Sequence, residues 1–474
     1  MRGAKKRREP PRLPDSLGER AVTSLSRRGF GIVKDTVDAG TVAAIKAYLT
    51  VAPAVNPMVS QAAPPPRYPV YRESRSKLYV PKYLGLSAYG EPSEDRTAPA
   101  EPLACSFAGR LRDTQRAPVA AFLEAARDPR RRGGIINMAC AAGKTVMGIN
   151  IACQLGLKTL VIVHKEFLAR QWEERIEQFA PDARVGRIQG AAFDVEGRDF
   201  VIAMVQTLSV RSFDEDAFDG FGTVIADECH HMSAEVFSRA LHRINFRHSL
   251  GLSATLQRAD GLSHVFQWFL GGVCYRTRRP REDVEVLVRE FSSPDPSYCE
   301  ELYVFGKQIN MARMISNVCA FAPRTEAVAG WIRGSLEERP GSKVLVLSER
   351  RTHLAEMEAA VRAGGPDAGG AEITTGFYVG GMKQDALKES EGCRVVFGTF
   401  AMAAEGMDIP ALDTLVLASP KSEIEQPVGR ILRVRADERE RVPRVIDVVD
   451  GFSVFRAQAA KRARYYRKCG YRCR

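Results

Sequence analysis

Gly143, Lys144 and Thr145 follow the apolar run GIINMA and open a stretch with helical spacing, the setting in which a turn presents backbone N–H groups to an anion. There the loop residues Ala141, Ala142 and Gly143 can cradle phosphates, Lys144 can reach the β- and γ-phosphates, and the Thr145 hydroxyl can ligate Mg2+. The usual pattern G-x-x-x-x-G-K-[ST] would have glycine at 138, where this chain has Met138. Gly-Lys-Thr alone also occurs in ordinary turns, so the second constellation, TVIADECHH, carries more weight. It places Asp227 and Glu228 at the end of an apolar run, where the carboxylates of a parallel strand project into the crevice above the sheet. Asp227 suits a Mg2+ ligand, and Glu228 suits a base that positions and deprotonates a water. Adjacent histidines on a chain leaving a strand seldom converge on one ion. His230 is therefore expected to couple the site to its surroundings rather than to bind metal.

Such residues need a scaffold that brings strand ends together. Apolar runs alternate with amphipathic stretches from about 99 to 280 (GIINMA, TLVIVH, FVIAMV, TVIADE, HSLGLSAT) and again after about 325 (KVLVLS, EITTGFYVG, CRVVFGT, TLVLAS, VPRVIDVVD). Continuous apolar strands between helices predict a parallel sheet covered on both faces, so the fold class is α/β with two units in tandem. The reading divides the chain into an accessory N-terminal appendage (1–98), a nucleotide-binding domain (99–280), an irregular link (281–324) and a second α/β domain with a basic tail (325–474). Prolines and alternating aromatics before residue 90 suggest short strands in the appendage, and Trp172 in ARQWEERIEQF reads as core.

With the order of motifs complete, the chain resembles a superfamily 2 helicase: GKT at 143–145, DECH at 227–230, SAT at 253–255 and QPVGRILR at 426–433. GLSATLQRADGL is similar to the form in xeroderma pigmentosum group B-like repair helicases and phage branch-migration helicases. The run from FGTFAMAAEGMDIP to QPVGRILR resembles helicases of large nucleocytoplasmic DNA viruses. The resemblance implies two RecA-like domains, ATP and Mg2+ as cofactors, and nucleic acid as partner, with DNA ahead of RNA. It assigns Gln115 in LRDTQ to the adenine edge, and Gln426 to the γ-phosphate or the attacking water. It assigns Arg430 and Arg433, three apart on an expected helix, to the charge of the transferring phosphoryl group. Ser253 and Thr255 link hydrolysis to domain movement, and Gly406 and Asp408 sense nucleotide from the second domain, although Gly406 is equally a plain turn residue. His164, Lys165 and Thr207 in the first unit and Thr399 in the second occupy the positions where such proteins touch a nucleic-acid backbone.

The net charge of +12 agrees with a polyanionic partner, and the cations gather at the ends, in MRGAKKRREPPR and AKRARYYRKCGYRCR. Tyr465, Tyr466 and Tyr471 among the C-terminal cations could stack on bases, or the run could be a solvated tail. The ten cysteines lack metal-ligand spacing, Cys469 and Cys473 included, and fit reduced thiols. No apolar run is long enough to span a bilayer, so a soluble intracellular protein is expected, in host cytoplasm or nucleus if viral. Two other classes are weighed against a motor. A binding module that has lost catalysis is opposed by Lys144, Thr145, Asp227, Glu228 and Arg430 together, and a P-loop kinase leaves the second α/β unit unexplained.

Overall fold

The computed structural model describes residues 11–54, 65–138, 142–256, 258, 260–277, 282–304, 308–367, 369–370, 372–405, 407, 409–434 and 438–474. The chain forms two compact units, residues 1–278 and 279–474. Ala141, Gly406 and Asp408, three of the expected nucleotide contacts, lie outside the described residues.

The first unit is built on an eight-stranded sheet in the order 192–193, 185–189, 200–204, 159–163, 223–227, 248–253, 133–137, 273–276. All neighbours are parallel except the short edge strand 192–193. The strands Thr159–Val163 and Thr223–Asp227 are buried along their whole length, which is why they read as continuous apolar runs rather than as alternation. Helices Asp113–Arg127, Lys144–Leu155 and Glu166–Phe179 bring the apolar side chains that cover one face.

The other face corrects the expectation of an appendage. Strands 72–73, 77–80, 29–33, 23–26 and 94–95 form a five-stranded sheet whose Leu25, Phe30, Ile32 and Leu78 belong to the same core as Leu160, Val224, Phe237 and Phe269. Polar groups lock this junction: buried Lys82 donates to the carbonyls of Phe246 (2.7 Å) and Arg247 (3.0 Å), and the His242 ring meets the carbonyls of Val70 and Arg28. Burial pushes Lys82 down to about 7 and His242 down to about 4. The N-terminal sheet thus supplies part of the cover that the large sheet needs.

The second unit is a seven-stranded, all-parallel sheet in the order 375–378, 395–399, 344–348, 414–417, 444–450, 285–291, 472–473. The stretch 281–324 is therefore not an irregular link. Its strand Glu285–Phe291 pairs with Arg444–Asp450 over seven consecutive residues, which places it inside the second domain. Only the first half of that strand alternates buried and open residues, so its apolar signal was weak.

The C-terminal run also differs from a stacking platform. Ser453–Cys469 is a helix, and Arg472–Cys473 adds the last strand to the sheet. Tyr466 is buried with its hydroxyl donating to Asp447 (3.1 Å), Tyr471 is buried, and Tyr465 packs partly buried against them. These rings are core because the sheet edge beneath them is apolar. Among the described residues no helix is long and apolar enough to cross a membrane.

A buried ion pair ties helix Ala322–Glu338 to the end of strand Arg444–Asp450. Arg324, fully buried, grips both oxygens of Asp450 (2.6 and 2.9 Å) and donates to the Ala418 carbonyl, while Tyr298 donates to Asp450 (2.7 Å). Removing one member of such a pair leaves an uncompensated charge in a dry place. Arg324→Ala should destabilise the second unit by about 3–5 kcal/mol, read from the urea midpoint. A midpoint equal to that of the unaltered protein would refute this.

Candidate active site

The strand Gly133–Asn137 runs to the loop before Gly143, and helix Lys144–Leu155 follows. Gly143 has φ +73°, a left-handed conformation that favours glycine, and a Cβ there would fall 2.2 Å from Gln115 Nε2 and displace that amide. Gln115 is buried, with both ends of its amide engaged. Its Oε1 accepts from the Arg112 N–H (2.9 Å), and its Nε2 donates to the carbonyls of Ala142 (3.1 Å) and Gly143 (3.4 Å). In this structure Gln115 braces the phosphate loop. Thr145 is half-buried on the first turn.

Lys144 lies almost wholly buried, its Nζ 3.0 Å from Glu228 Oε1 and 3.4 Å from the Met138 carbonyl. Glu228 sits just past the strand Thr223–Asp227 with φ +45° and ψ +43°. That left-handed conformation is costly for a residue with a Cβ, and it turns the Glu228 side chain toward Lys144. Asp227 points inward, where Oδ2 accepts from Trp172 Nε1 (2.8 Å) and Oδ1 from the Glu228 N–H (2.9 Å). Burial, and then the charge of Glu228, push the Asp227 carboxyl above the ordinary carboxylate range. Trp172 is fully buried against helix Lys144–Leu155, where a Cβ on Gly148 would come within 2.8 Å of its ring.

A third layer joins this turn to the strand His248–Ser253. His230 Nδ1 lies 2.8 Å from Ser253 Oγ and 3.3 Å from Glu228 Oε2. The Ser253 hydroxyl donates to the Thr255 carbonyl, so it accepts from His230, which places the ring proton on Nδ1. Thr255 is half-buried, and the Ser253 carbonyl takes N–H groups from Asn137 and Met138 (3.1 and 3.0 Å). Arg258 clamps the arrangement. It donates to the carbonyls of His230 and Met232 (2.7 Å to the latter), pairs with both oxygens of Asp260 (2.9 and 2.6 Å), and lies over the Phe266 ring. Sequence reasoning missed Arg258 and the bond from Trp172; the only signal was the RAD triplet inside GLSATLQRADGL and a tryptophan on the strand-facing side of a helix.

The expected backbone contacts divide. His164 is buried, with its proton affinity lowered by burial and then by Lys165, and it feels the charges of Asp227 and Glu228. Lys165 is half-buried at the start of helix Glu166–Phe179, and Thr207 accepts from the Gly190 N–H (3.1 Å). Thr399 ends the strand Val395–Thr399, half-buried.

In the second unit the helix expected to carry two arginines stops at Arg430. Arg433 lies beyond it, because the chain turns at Ile431 and Leu432. Both guanidiniums nevertheless converge on one acceptor, the Met407 carbonyl, at 2.8 Å for Arg430 and 2.6 Å for Arg433. Gln426 is half-buried on the first turn of the same helix, and Arg430 is buried.

The first unit thus offers a helix N-terminus, a buried lysine, and hard oxygen donors on Thr145 and Asp227. A buried carboxylate with raised proton affinity gains from a cation. Mg2+ is commonly held by one or two carboxylates together with substrate phosphates, so this donor set fits it. Fold and site define a P-loop nucleotide hydrolase with two parallel-sheet units.

Comparison with known proteins narrows the class. Residues 108–258 match the family model described as type III restriction enzyme, res subunit. A protein of Acanthamoeba polyphaga mimivirus with the provisional name ATP-dependent RNA helicase is 32% identical over 461 residues, covering 95% of this chain and 86% of its own. An African swine fever virus protein with the same provisional description is 26% identical, covering 69% of this chain and 67% of its own. The crystal structure of T4 UvsW aligns over 78% of each chain at 15% identity, with a TM-score of 0.32. The chain belongs to the superfamily 2 helicases, ATP-dependent hydrolases that act on nucleic acid.

The Trp172 N–H favours the ionised form of Asp227, and Trp172→Phe removes it without opening a large cavity. ATPase turnover should fall by about 10- to 100-fold. The acid limb of kcat/KM should lie above the ordinary carboxylate pKa of about 4 and move further up in the variant, because Asp227 loses activity as it gains a proton. Unaltered turnover with an unmoved acid limb would contradict the assignment.

Proposed function

We propose that the chain is a nucleic-acid-stimulated ATPase that moves along or separates strands, acting on DNA. The observation that carries this reading is the chain of contacts Lys144–Glu228–His230–Ser253 at the strand ends of the first unit, beside the buried carboxylate of Asp227. Ala141, Ala142, Gly143 and Lys144 take the phosphates, and Gln115, while bracing the loop, meets the base. Thr145 and Asp227 would hold Mg2+, which would supply positive charge to the phosphate oxygens. Lys144 and Glu228 hold each other's charge in the free protein. When phosphate takes over the lysine, the carboxylate is released to position a water and accept its proton.

Arg430, Arg433 and Gln426 act on the same nucleotide from the second unit, with Gly406 and Asp408 as its sensors. Closure of the units on ATP and reopening after hydrolysis would alternate the grip of Lys165 and Thr207 with that of Thr399, which yields a step. His230, Ser253 and Thr255 transmit the state of Glu228 to that movement. Contacts of this kind read backbone and carry no sequence preference. The DNA reading rests on the likeness of GLSATLQRADGL to repair and branch-migration helicases. The RNA reading is favoured by the provisional names of the mimivirus and swine fever virus relatives.

Glu228→Gln keeps the side-chain shape and removes the proton-accepting charge. ATP should still bind while turnover falls by roughly 10²-fold or more. Measured beside the unaltered protein with matched DNA and RNA strands, the strand that raises turnover further identifies the substrate. Full turnover in the variant would assign the base elsewhere.

A further inference from the structure

We infer that the exposed face of the C-terminal helix Ser453–Cys469 is a second grip for the nucleic-acid phosphate backbone, a surface that rests on the reading of the chain as a nucleic-acid motor. The tyrosines of this segment are spent on the core, with Tyr466 and Tyr471 buried. What faces water is a row of cations: Arg456, Lys461, Arg464, Arg467 and Lys468 are all exposed, while Arg462 turns inward to Asp447 (2.8 Å).

The composition of the helix is one-sided. SVFRAQAAKRARYYRKC contains no aspartate or glutamate. The helix dipole accounts for Arg467 and Lys468 in the last turn, where cations are favoured. It does not account for Arg456 in the first turn, where a cation is disfavoured and no acid balances it; its Nε donates to the Gly451 carbonyl. Lys461 with Arg464, Arg464 with Arg467, and Arg464 with Lys468 stand three or four apart, spacings at which like charges repel. A solvated face normally mixes signs. Here Lys461 pairs with Glu423, both well exposed, and among the described residues Arg456, Arg464, Arg467 and Lys468 have no carboxylate partner.

A polyanion relieves that repulsion. From Arg456 to Lys468 the row spans roughly 18 Å at 1.5 Å per residue, the axial rise of about five nucleotides of a stacked strand at 3.4 Å each. The spacing suits successive phosphates, and the absence of exposed aromatic rings on this face leaves backbone rather than bases as the target.

The test uses the full chain with Arg456, Arg464, Arg467 and Lys468 all changed to Gln, and a companion in which the three arginines become Lys. Affinity for a single-stranded DNA and an RNA of equal length is measured against salt, together with ATPase activity. The glutamine variant should keep basal turnover and bind at least about tenfold more weakly at low salt. Its slope of log K against log salt should be shallower by roughly 0.7 per lost contact, up to about 3 for all four. The lysine companion should keep most of the slope. If the four-fold variant fails to fold, Arg464→Gln and Lys468→Gln singly should each lower the slope by about 0.7. An unchanged slope in protein whose ATPase is still stimulated overturns the helix surface and leaves the motor reading standing. Unaltered protein that neither binds nor responds to either strand overturns both.

Discussion

Two adjacent carboxylates at the inner end of a buried strand impose a requirement on everything around them. Asp227 and Glu228 lie where water is scarce, and neither can hold its charge cheaply beside the other. The structure meets this with Lys144 against Glu228 at 3.0 Å and the Trp172 N–H against Asp227 at 2.8 Å. It also bends the backbone at Glu228 into a left-handed turn that separates the two side chains. From these contacts follow the burial of Trp172, the small residue at Gly148 that admits its ring, and the attachment of helix Lys144–Leu155 to the strand Thr223–Asp227. The proposed nucleotide chemistry would use the same charges: phosphate would compete with Glu228 for the lysine, and Asp227 would help hold a cation.

The turn after Glu228 is held from the far side by His230, Ser253 and Arg258. Their bonds run from the carboxylate to the strand His248–Ser253 and on to the phosphate-loop strand through the Ser253 carbonyl. A change at Glu228 is therefore felt at once by two neighbouring strands. Such short polar links exchange partners cheaply, which supports the proposed coupling role of His230 and Ser253. The second unit repeats the device in simpler form, with two guanidiniums on a single backbone carbonyl at Met407.

Much of this was legible because it is local. Phosphate loops, paired acids and apolar strands are short runs whose chemistry and period can be read in place, and the parallel α/β architecture followed from them. What escaped depends on partners distant in the chain. Trp172 meets Asp227 across 55 positions, and Arg462 and Tyr466 neutralise and cap Asp447 inside the second core. Strand Glu285–Phe291 finds its neighbour more than 150 residues later. The N-terminal sheet looked like an appendage because its strands are short and punctuated by prolines, and only the face of the large sheet that it covers explains why its apolar residues are needed. At the C-terminus, tyrosine among cations signalled a ligand surface, whereas helical periodicity separates the two and sends the rings inward.

The proposal that Arg430 of the second unit acts on the ATP held at Lys144 is open to a direct test. Arg430 stands 286 residues beyond Lys144, so no local structure relates them. Turnover and nucleotide affinity of Arg430→Ala, measured at saturating nucleic acid on protein of unchanged stability, separate chemistry from binding. Arg430→Ala should lower kcat by roughly 10³-fold or more with affinity much less affected, and Arg430→Lys should rescue little, since an ammonium lacks the planar fork of donors. A variant that hydrolyses ATP at the full nucleic-acid-stimulated rate would contradict the proposal.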